Sequence, residues 1–459
     1  DSCTGCKACV TACHNLNGLD EDETWRRVGT LVAEGPGEAQ RQVVTTACHH
    51  CEDPACLEGC PVMAYEQDAT TGIVRHLDDQ CIGCQYCILM CPYEVPQYSA
   101  ARGIVRKCDM CQGRLAVGEA PACVQGCPNE AIAIRVVPVG GTGFALPGAP
   151  DPALTRPSTR YVGQRRDIDR LRPVDAALAA PMHAHWPLVW MLTLTQVAVG
   201  VLGAGVLLGD LLRLLPLPVR LGVALFGCTL LLAGLGASVA HLGQPTKAWR
   251  AFLGFRTSWL SREVVAFGAC MGTATLYLLA IWAAHPIAPV LGTVAVGIGL
   301  VSVACSVMVY AATGRVVWAW PRVSLLFAAS TLLSGIGAAV GALALAGYPR
   351  ALLVGAAPAI ALVAGIAPLL VVLDLRQTAH ADAVVARVLR VLGGPLRRWT
   401  LLRLVCATLI VALLPLTALS GLSLTVGAVV GWGLACLGTF AERYLFFTAA
   451  LAPRMPGEG

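Results

Sequence analysis

The sequence predicts a protein of two parts, a cysteine-rich α+β domain followed by an all-α integral membrane bundle of about eight transmembrane helices. Two observations predict this division: sixteen of the 21 cysteines fall before residue 128, and residues 186–447 consist mostly of Leu, Val, Ala and Gly. The mean hydropathy of +0.66 is too high for an ordinary soluble protein. The net charge of +5 is modest and no long Lys/Arg run is present, so nucleic acid is not an expected partner.

Three segments are predicted. Residues 1–137 contain no apolar stretch long enough for a large core, so metal ligation is expected to supply much of their stability. Residues 138–182, rich in Gly and Pro, are predicted to be an extended linker, either flexible or a strap over another subunit. Residues 183–459 form the predicted membrane anchor. Because the chain starts almost at its first cysteine motif, we expect N-terminal residues to be missing, and a removed targeting segment cannot be judged.

The anchor contains eight apolar segments, each close to the ~20 residues that a helix needs to cross ~30 Å of hydrocarbon. Helices are expected because a backbone in lipid must satisfy its own hydrogen bonds. The turn near Ser420-Gly421 is very short, which leaves seven or nine spans as alternatives. The predicted spans are residues 186–208, 219–240, 259–283, 287–310, 323–346, 351–373, 401–421 and 423–446.

Loop charge predicts the orientation. On the side that holds the N-terminus, the loops at about residues 241–258, 311–322 and 374–400 carry ten basic residues, and the opposite loops carry three, so the cysteine domain is expected in the cytoplasm. A cofactor domain that folds before export is the alternative, because it overrides this rule. The ten are Lys247, Arg250, Arg256, Arg315, Arg322, Arg376, Arg387, Arg390, Arg397 and Arg398, and the three are Arg213, Arg220 and Arg350.

Four cysteine motifs predict a ferredoxin-like domain with four [4Fe–4S] clusters. Pro61, Pro92 and Pro128 follow the last cysteine of three motifs, as in bacterial ferredoxins, whereas His14 takes that place in the first. In two-cluster ferredoxins the fourth cysteine of a motif ligates the neighbouring cluster. The motifs are Cys3-x2-Cys6-x2-Cys9-x3-Cys13, Cys48-x2-Cys51-x4-Cys56-x3-Cys60, Cys81-x2-Cys84-x2-Cys87-x3-Cys91 and Cys108-x2-Cys111-x11-Cys123-x3-Cys127.

Two other interpretations of the cysteines compete with this one. Disulfides suit an oxidising compartment, which the loop charge does not indicate. Structural zinc also uses four thiolates from paired CxxC motifs, but seldom with the repeated ferredoxin pattern. The remaining five cysteines stand singly in apolar segments and are expected to be packing residues: Cys228, Cys270, Cys305, Cys406 and Cys436.

The first 130 residues resemble the four-cluster electron-transfer subunit of complex iron–sulfur molybdoenzymes, such as the dimethyl sulfoxide reductase B subunit. The resemblance is carried by Cys3-Thr-Gly-Cys-Lys-Ala-Cys, Trp25-Arg-Arg-Val, Cys48-His-His-Cys-Glu-Asp-Pro-Ala-Cys and Cys81-Ile-Gly-Cys-Gln-Tyr-Cys. It implies four ligand sets. They are Cys3, Cys6, Cys9 with Cys127; Cys108, Cys111, Cys123 with Cys13; Cys48, Cys51, Cys56 with Cys91; and Cys81, Cys84, Cys87 with Cys60.

Ionisable residues of the anchor collect at one membrane face. Such residues are costly in lipid and indicate function by default. Oxidation of a quinol needs a proton acceptor, and His241 and Glu263 supply titratable groups. The alternative is structural: Arg262–Glu263 and Glu442–Arg443 are then ion pairs, and His241 caps a helix. The full set on this face is His241, Arg262, Glu263, Asp374, Glu442 and Arg443.

The segments His241-Leu-Gly-Gln-Pro-Thr-Lys-Ala-Trp-Arg-Ala-Phe and Ser258-Trp-Leu-Ser-Arg-Glu263 resemble the dimethyl sulfoxide reductase C subunit, an eight-helix menaquinol-oxidising anchor. The resemblance implies a quinone site at His241 and Glu263, and Arg262 and Arg443 are candidates for its support. The B and C subunits are usually separate chains, whereas here they are fused. No haem is predicted, because the other histidines of the anchor lie at span ends or in loops: His183, His185, His285 and His380.

The predicted function is electron transfer between a membrane quinone, menaquinone or ubiquinone, and a molybdopterin catalytic subunit on another chain, in the bacterial inner membrane. The direction stays open. An S- or N-oxide reductase takes electrons from quinol, whereas a sulfite dehydrogenase-type complex delivers them to quinone. A non-redox membrane scaffold with structural zinc is the distant alternative.

Overall fold

The fold is that of a computed structural model, which describes residues 2–33, 41–137, 140, 146–165, 167–348, 357–380, 382–419, 424–451 and 455. The short turn expected near Ser420-Gly421 and the loop residue Arg350 lie outside these residues.

The cysteine domain, within residues 2–137, is built from short elements. Of the five helices that its described residues form, four carry cysteines of the motifs, so the motif loops and the helices that follow them form one structural unit. The helices are α1 (Ala8–Asn17), α2 (Ala55–Glu58), α3 (Tyr86–Met90), α4 (Gln112–Ala116) and α5 (Ala122–Gln125). The strands are β1 (Arg27–Ala33), β2 (Arg41–Thr46), β3 (Tyr65–Gln67), β4 (Val74–His76), β5 (Gln97–Ser99) and β6 (Ile104–Arg106).

The linker contributes a strand to this domain. Strand β7 (Leu171–Pro173) pairs antiparallel with β1, which also pairs with β2, so the main sheet has the order β2-β1-β7. Leu31 and Leu171 are buried in one apolar cluster there. Earlier in the linker, Arg156 makes a two-pronged ion pair with Asp53, with both N–O distances 2.6 Å. The described part of the linker is therefore a strap on the chain's own cysteine domain.

The helix bundle follows the strap. Its helices are α6 (Trp186–Val206), α7 (Leu217–Ala240), α8 (Trp259–Trp282), α9 (Ala288–Ala311), α10 (Trp320–Leu345), α11 (Ala357–Thr378), α12 (Ala383–Gly393), α13 (Arg397–Leu419) and α14 (Leu424–Thr448). Six helices in the described residues are long and apolar enough to cross a membrane, namely α6 to α10 and α14. The total of eight spans stays a prediction.

Helix α12 lies where the sequence predicted only a charged loop, residues 374–400. It is amphipathic: Val385, Val388 and Val391 recur every third residue and are buried, while Arg390 is exposed. The carboxylate of Asp382 accepts hydrogen bonds from the backbone of the first turn and caps the helix.

Helix α6 is the centre of the bundle and packs against α7, α9, α10 and α14. Small residues allow the closest crossing. A Cβ added at Gly200 would lie 2.5 Å from the carbonyl oxygen of Thr331, so only glycine fits where α6 meets α10. Close backbone approach of this kind replaces the hydrophobic driving force that is missing between helices in lipid.

The cysteine domain is docked on the end of the bundle through the loop between α7 and α8. The Ser258 hydroxyl donates a 2.7 Å hydrogen bond to the Gly59 carbonyl, and the Gly254 amide donates a 2.8 Å bond to the Pro61 carbonyl. The Gln244 amide donates to the carbonyl of Ile82 at 3.0 Å. These bonds join backbone groups or short side chains, so they fix the distance between the two parts tightly.

Candidate functional site

The structure brings the sixteen cysteines of the N-terminal domain into four groups. We name them quartet A (Cys3, Cys6, Cys9, Cys127), quartet B (Cys13, Cys108, Cys111, Cys123), quartet C (Cys48, Cys51, Cys56, Cys91) and quartet D (Cys60, Cys81, Cys84, Cys87). The cysteines of quartet A line one pocket and those of quartet C line another. In B, burial and then the other three thiols raise the pKa of Cys13 to about 12. In D, burial and then the charges of Cys84, Cys60 and Cys81 raise the pKa of Cys87.

The quartets fit iron–sulfur clusters. All sixteen thiols are free, and backbone amides point at several sulfurs, with N–S distances of 3.2 Å at Cys60 and 3.3 Å at Cys81 and Cys127. Such hydrogen bonds stabilise thiolate ligands. In the part of the chain that the structure describes, no three Cys, His, Asp or Glu side chains converge closely enough to hold a single metal ion. A cavity ringed by four separated sulfurs suits a multi-iron group.

Buried side chains stand between neighbouring quartets and establish their order. The Arg26 guanidinium lies among Cys9 of quartet A and Cys13, Cys108 and Cys123 of quartet B. Burial lowers the pKa of Arg26, but these thiolates outweigh it and raise that pKa. Between quartets C and D, the buried ring of Tyr65 adjoins Cys56, Cys60 and Cys87.

The side chains of Lys107 and His50 separate quartets B and C. The Lys107 side chain is buried, and its Nζ lies 3.7 Å from the Cys48 sulfur and 3.0 Å from the Cys108 carbonyl. The buried ring of His50 lies beside Cys48 and Cys108, and its Nδ1 accepts a 3.1 Å hydrogen bond from the Val74 backbone amide. The resulting order, A-B-C-D, ends with D at the helix bundle.

His241 lies directly beneath quartet D. It follows the last residue of α7, and the backbone of Cys84 is a hydrogen-bonding neighbour of its ring. Burial lowers the pKa of His241 to about 4, although the bond with Cys84 acts in the opposite direction. The His241 Nε2 is buried without a hydrogen-bond partner among the described residues. The ring therefore keeps one free polar atom for another group.

Glu263 lies on the first turns of α8 and is 3% exposed. Its carboxylate accepts a hydrogen bond from the Ser306 hydroxyl of α9. The cysteine domain reaches this place with Tyr86, whose pKa is raised by burial, by the charge of Glu263 and by Cys84. Tyr86 thus connects the surroundings of Glu263 with those of quartet D, a role that the sequence analysis did not predict.

The two candidate supporting arginines are each bound to groups other than His241. Arg262 stacks over Trp259 at 4.3 Å and donates hydrogen bonds to the carbonyls of Phe255 and Arg256 at 3.1 and 2.7 Å, which are the contacts of a loop clamp. Asp374, another residue of the predicted set, pairs with Arg322 in an interhelical ion pair.

Arg443 is fully buried in the bundle. It pairs with Glu442 and donates hydrogen bonds to Gln196 at 2.5 Å and to Ser330 at 2.7 Å, while its guanidinium lies 4.1 Å from the Phe327 ring centre. These are the contacts of a structural ion pair inside the bundle.

A second buried ion pair, not predicted from the sequence, lies at the opposite face. There Asp210 bonds Arg220 and accepts a 2.5 Å hydrogen bond from Tyr277. A single charge at a helix end gave too weak a sequence signal to find it.

Comparison with protein families gives two matches. A profile described as the DMSO reductase anchor subunit (DmsC) matches residues 182–420, just over half of the chain. A profile described as a 4Fe-4S dicluster domain matches residues 39–137. The second match contains quartet C and quartet D entirely, and the first contains both His241 and Glu263.

Individual relatives match the N-terminal part. The B subunit of anaerobic dimethyl sulfoxide reductase from Escherichia coli (strain K12) is 40% identical over 138 residues, which are 28% of this chain and 67% of the relative. The B subunit from Haemophilus influenzae is 37% identical over 141 residues, 29% of this chain and 68% of the relative. The nitrate-inducible formate dehydrogenase iron-sulfur subunit of E. coli (strain K12) is 34% identical over 147 residues, 28% of this chain and 50% of the relative.

Proposed function

Because this chain belongs to the DMSO reductase anchor subunit (DmsC) family, and carries at its N-terminus a 4Fe–4S domain like that of the dimethyl sulfoxide reductase B subunit, we propose that it transfers electrons between membrane quinone and a catalytic subunit. The matches to a 4Fe–4S dicluster domain and to a reductase anchor family support this proposal, as do six helices that are long and apolar enough to cross a membrane. The number of clusters, the quinone and the molybdopterin of the partner subunit belong to the proposal.

One observation carries the proposal: His241 is a hydrogen-bonding neighbour of the Cys84 backbone, so a titratable group of the bundle adjoins a quartet directly. Electron transfer from quinol needs a proton acceptor and an electron acceptor within short reach of the same molecule. A quinol held between His241 and Glu263 would meet both requirements. Quartet D would then be the first cluster site to receive an electron.

In the proposed site this chain's own residues bind and orient the quinone. The unpartnered Nε2 of His241 is available for a quinone oxygen, and Ser306 fixes the Glu263 carboxylate. Tyr86 and Tyr310 are buried close to Glu263 and keep water out. We assign Arg262 and Arg443 no direct contact with quinone. Arg262 is bound to loop carbonyls, and Arg443 is bound to Glu442, Gln196 and Ser330, although its Nε has no partner among the described residues.

Quartets A to D would hold one [4Fe–4S] cluster each, and the clusters supply one-electron storage and transfer. The chain's contribution is their spacing and charge. Arg26 and Lys107 bring positive charge between quartets A, B and C, which offsets the negative charge of the thiolates. Cys6 of quartet A is exposed, so the catalytic subunit is proposed to dock at that end.

The direction proposed is from quinol to the catalytic subunit, as the names of the dimethyl sulfoxide reductase relatives suggest. The basic loops on the cysteine-domain side favour a cytoplasmic location for that domain in the inner membrane. Transfer into quinone, as in a sulfite dehydrogenase-type complex, uses the same residues in reverse.

Metal analysis of the protein, purified without air, tests the cluster proposal. Four clusters require about sixteen iron atoms and as many acid-labile sulfides per chain, whereas a structural-zinc scaffold requires about four zinc ions and no sulfide. Cys84→Ser removes one ligand of quartet D and is expected to lower the iron content. Cys228→Ser, a matched change at a buried cysteine of α7, is expected to leave it unchanged.

A further inference from the structure

Three histidines form a row at the end of the bundle that faces the cysteine domain. His183 and His185 precede α6, and His241 follows α7. The ring centres of His183 and His185 are 5.3 Å apart, and those of His185 and His241 are also 5.3 Å apart. Both pairs are edge-to-face. The sequence separates His185 from His241 by more than fifty residues, so the fold alone makes them neighbours.

Burial increases along this row. His183 is exposed, and His185 and His241 are both half-buried; the Nε2 atom of His241 is buried without a hydrogen-bond partner in the described residues. The row therefore leads from water at the surface to the place where the proposed quinone site adjoins Cys84. Imidazole is suited to such a path because one nitrogen accepts a proton while the other gives one up.

We propose that His185 and His183 form the outlet through which protons released by quinol oxidation reach the aqueous phase. The inference rests on the proposed function. Oxidation of one quinol breaks two O–H bonds, sends two electrons one at a time to oxidised clusters, and leaves two protons to be removed. Those protons pass from the site to His185, then to His183, and then to water. His241 is assigned no net change of charge, because it touches the backbone of a proposed cluster ligand.

The surroundings of His185 suit this role. The charged and titratable groups that face it are His183 on its own segment, His241 after α7 and Arg315 after α9. Burial, and then these three groups, lower the pKa of His185 to about 4. The ring is thus neutral at physiological pH and free to accept a proton, and the nearby Arg315 favours rapid passage of the positive charge outward.

Aromatic packing is the competing explanation, since the Phe447 ring lies 6.2 Å from His185. The substitution His185→Phe separates the two. It keeps a ring of similar size against Phe447 and His241 but cannot carry a proton. A packing role predicts little change, whereas an outlet predicts loss of proton transfer.

The experiment mixes the oxidised, cluster-loaded protein with menadiol and follows the bleaching of cluster absorbance. His185→Phe is expected to slow bleaching by at least about tenfold, within the usual range for losing a proton-transfer group. Reduction by dithionite, which releases no proton at this site, is expected to keep its rate. Added imidazole is expected to restore the rate of a His185→Gly variant. His380→Phe changes an exposed histidine on the same face and serves as the matched control.

The outcomes distinguish the proton-outlet proposal from the quinone-site proposal. If His241→Ala and Glu263→Gln slow menadiol oxidation but the His185→Phe variant oxidises menadiol at the wild-type rate, the proton-outlet proposal is wrong and the quinone-site proposal stands. If none of the three variants is slowed, the quinone site is wrong as well. If His185→Phe slows cluster reduction by both menadiol and dithionite, and imidazole does not rescue the His185→Gly variant, His185 has a structural role and the proton-outlet proposal is wrong.

Discussion

The hydroxyl of Tyr86 donates a 2.7 Å hydrogen bond to the backbone carbonyl of Val309, and this bond anchors the cysteine domain inside the helix bundle. Tyr86 is 4% exposed and lies two residues beyond Cys84. A side chain of the electron-transfer domain is thus part of the bundle's core. The position of quartet D above His241 depends on contacts of this kind.

Tyr86→Phe is expected to weaken the docking by about 1 kcal/mol, because it removes one buried hydrogen bond from the Val309 carbonyl. The melting temperature of the cluster-loaded protein in detergent measures the effect. Tyr348→Phe, which lies beyond α10 at the other end of the bundle, is the control. Equal melting temperatures for wild type and Tyr86→Phe would contradict the anchoring role.

A second prediction follows from the close backbone contact among Gly83, Gly103 and Gly243. A Cβ at Gly243 would overlap the carbonyl oxygen of Gly103, so Gly243→Ala has to push the two parts of the protein apart. We expect a loss of about 1–3 kcal/mol in stability, the usual cost of overpacking, and slower reduction of the clusters by menadiol. Gly236→Ala adds a methyl group where no atom lies within 4 Å, and it is expected to be neutral or stabilising. Unchanged kinetics in Gly243→Ala would show that this contact does not set the electron-transfer distance.

Lys107→Gln removes a buried positive charge beside Cys48. A unit charge about 7 Å from a cluster interacts with an added electron by about 2 kcal/mol at an effective dielectric constant of about 20. The cluster of quartet C is therefore expected to become harder to reduce by more than about tenfold. A redox titration monitored by electron paramagnetic resonance measures its midpoint potential.

The control for this change is Lys247→Gln, which removes the same charge from a lysine bonded to the Asp79 carbonyl at the surface. It is expected to leave the midpoint potential of the quartet C cluster unchanged from that of the wild type. A quartet C potential that also stays constant in Lys107→Gln refutes the charge argument.

Arg443 has the contacts of a structural ion pair. Arg443→Met leaves the buried Glu442 carboxylate without its closest partner, and breaking such a pair costs about 3–5 kcal/mol. The double variant Glu442→Gln/Arg443→Met is expected to recover part of this loss, because the buried carboxylate is removed as well. Arg403, 3.7 Å from Glu442, then loses that partner. Arg398→Met changes an exposed arginine and is the control. Thermal unfolding gives the comparison, and normal stability of Arg443→Met would reopen its assignment to the quinone site.

Sequence patterns located the long helices well. The segment predicted at 259–283 is the helix Trp259–Trp282, because an apolar run of membrane length has few other structural solutions. Helix α12 was not predicted, since its three valines are interleaved with arginines and the charge of the segment indicated a loop. The ligand sets of the cysteines rest on the family resemblance and stay a prediction.

Contacts between distant segments could not be predicted. The sequence analysis considered His183 and His185 only to argue against haem ligation, and they lie beside His241 because α6 and α7 pack together. Tyr86 belongs to a cysteine motif, and nothing in that motif indicates insertion between helices. Pairings of this type depend on how the two parts dock, and local periodicity carries no information about docking.

The most direct test of the central claim is whether quinol reduces protein-bound iron through the site beneath quartet D. Membranes containing the protein are oxidised, mixed anaerobically with menadiol and measured by electron paramagnetic resonance. Signals of reduced [4Fe–4S] clusters are expected in the wild type, and His241→Ala is expected to delay them strongly while dithionite still produces them. A wild-type sample that contains the clusters, responds to dithionite and gives no signal with menadiol would contradict the account.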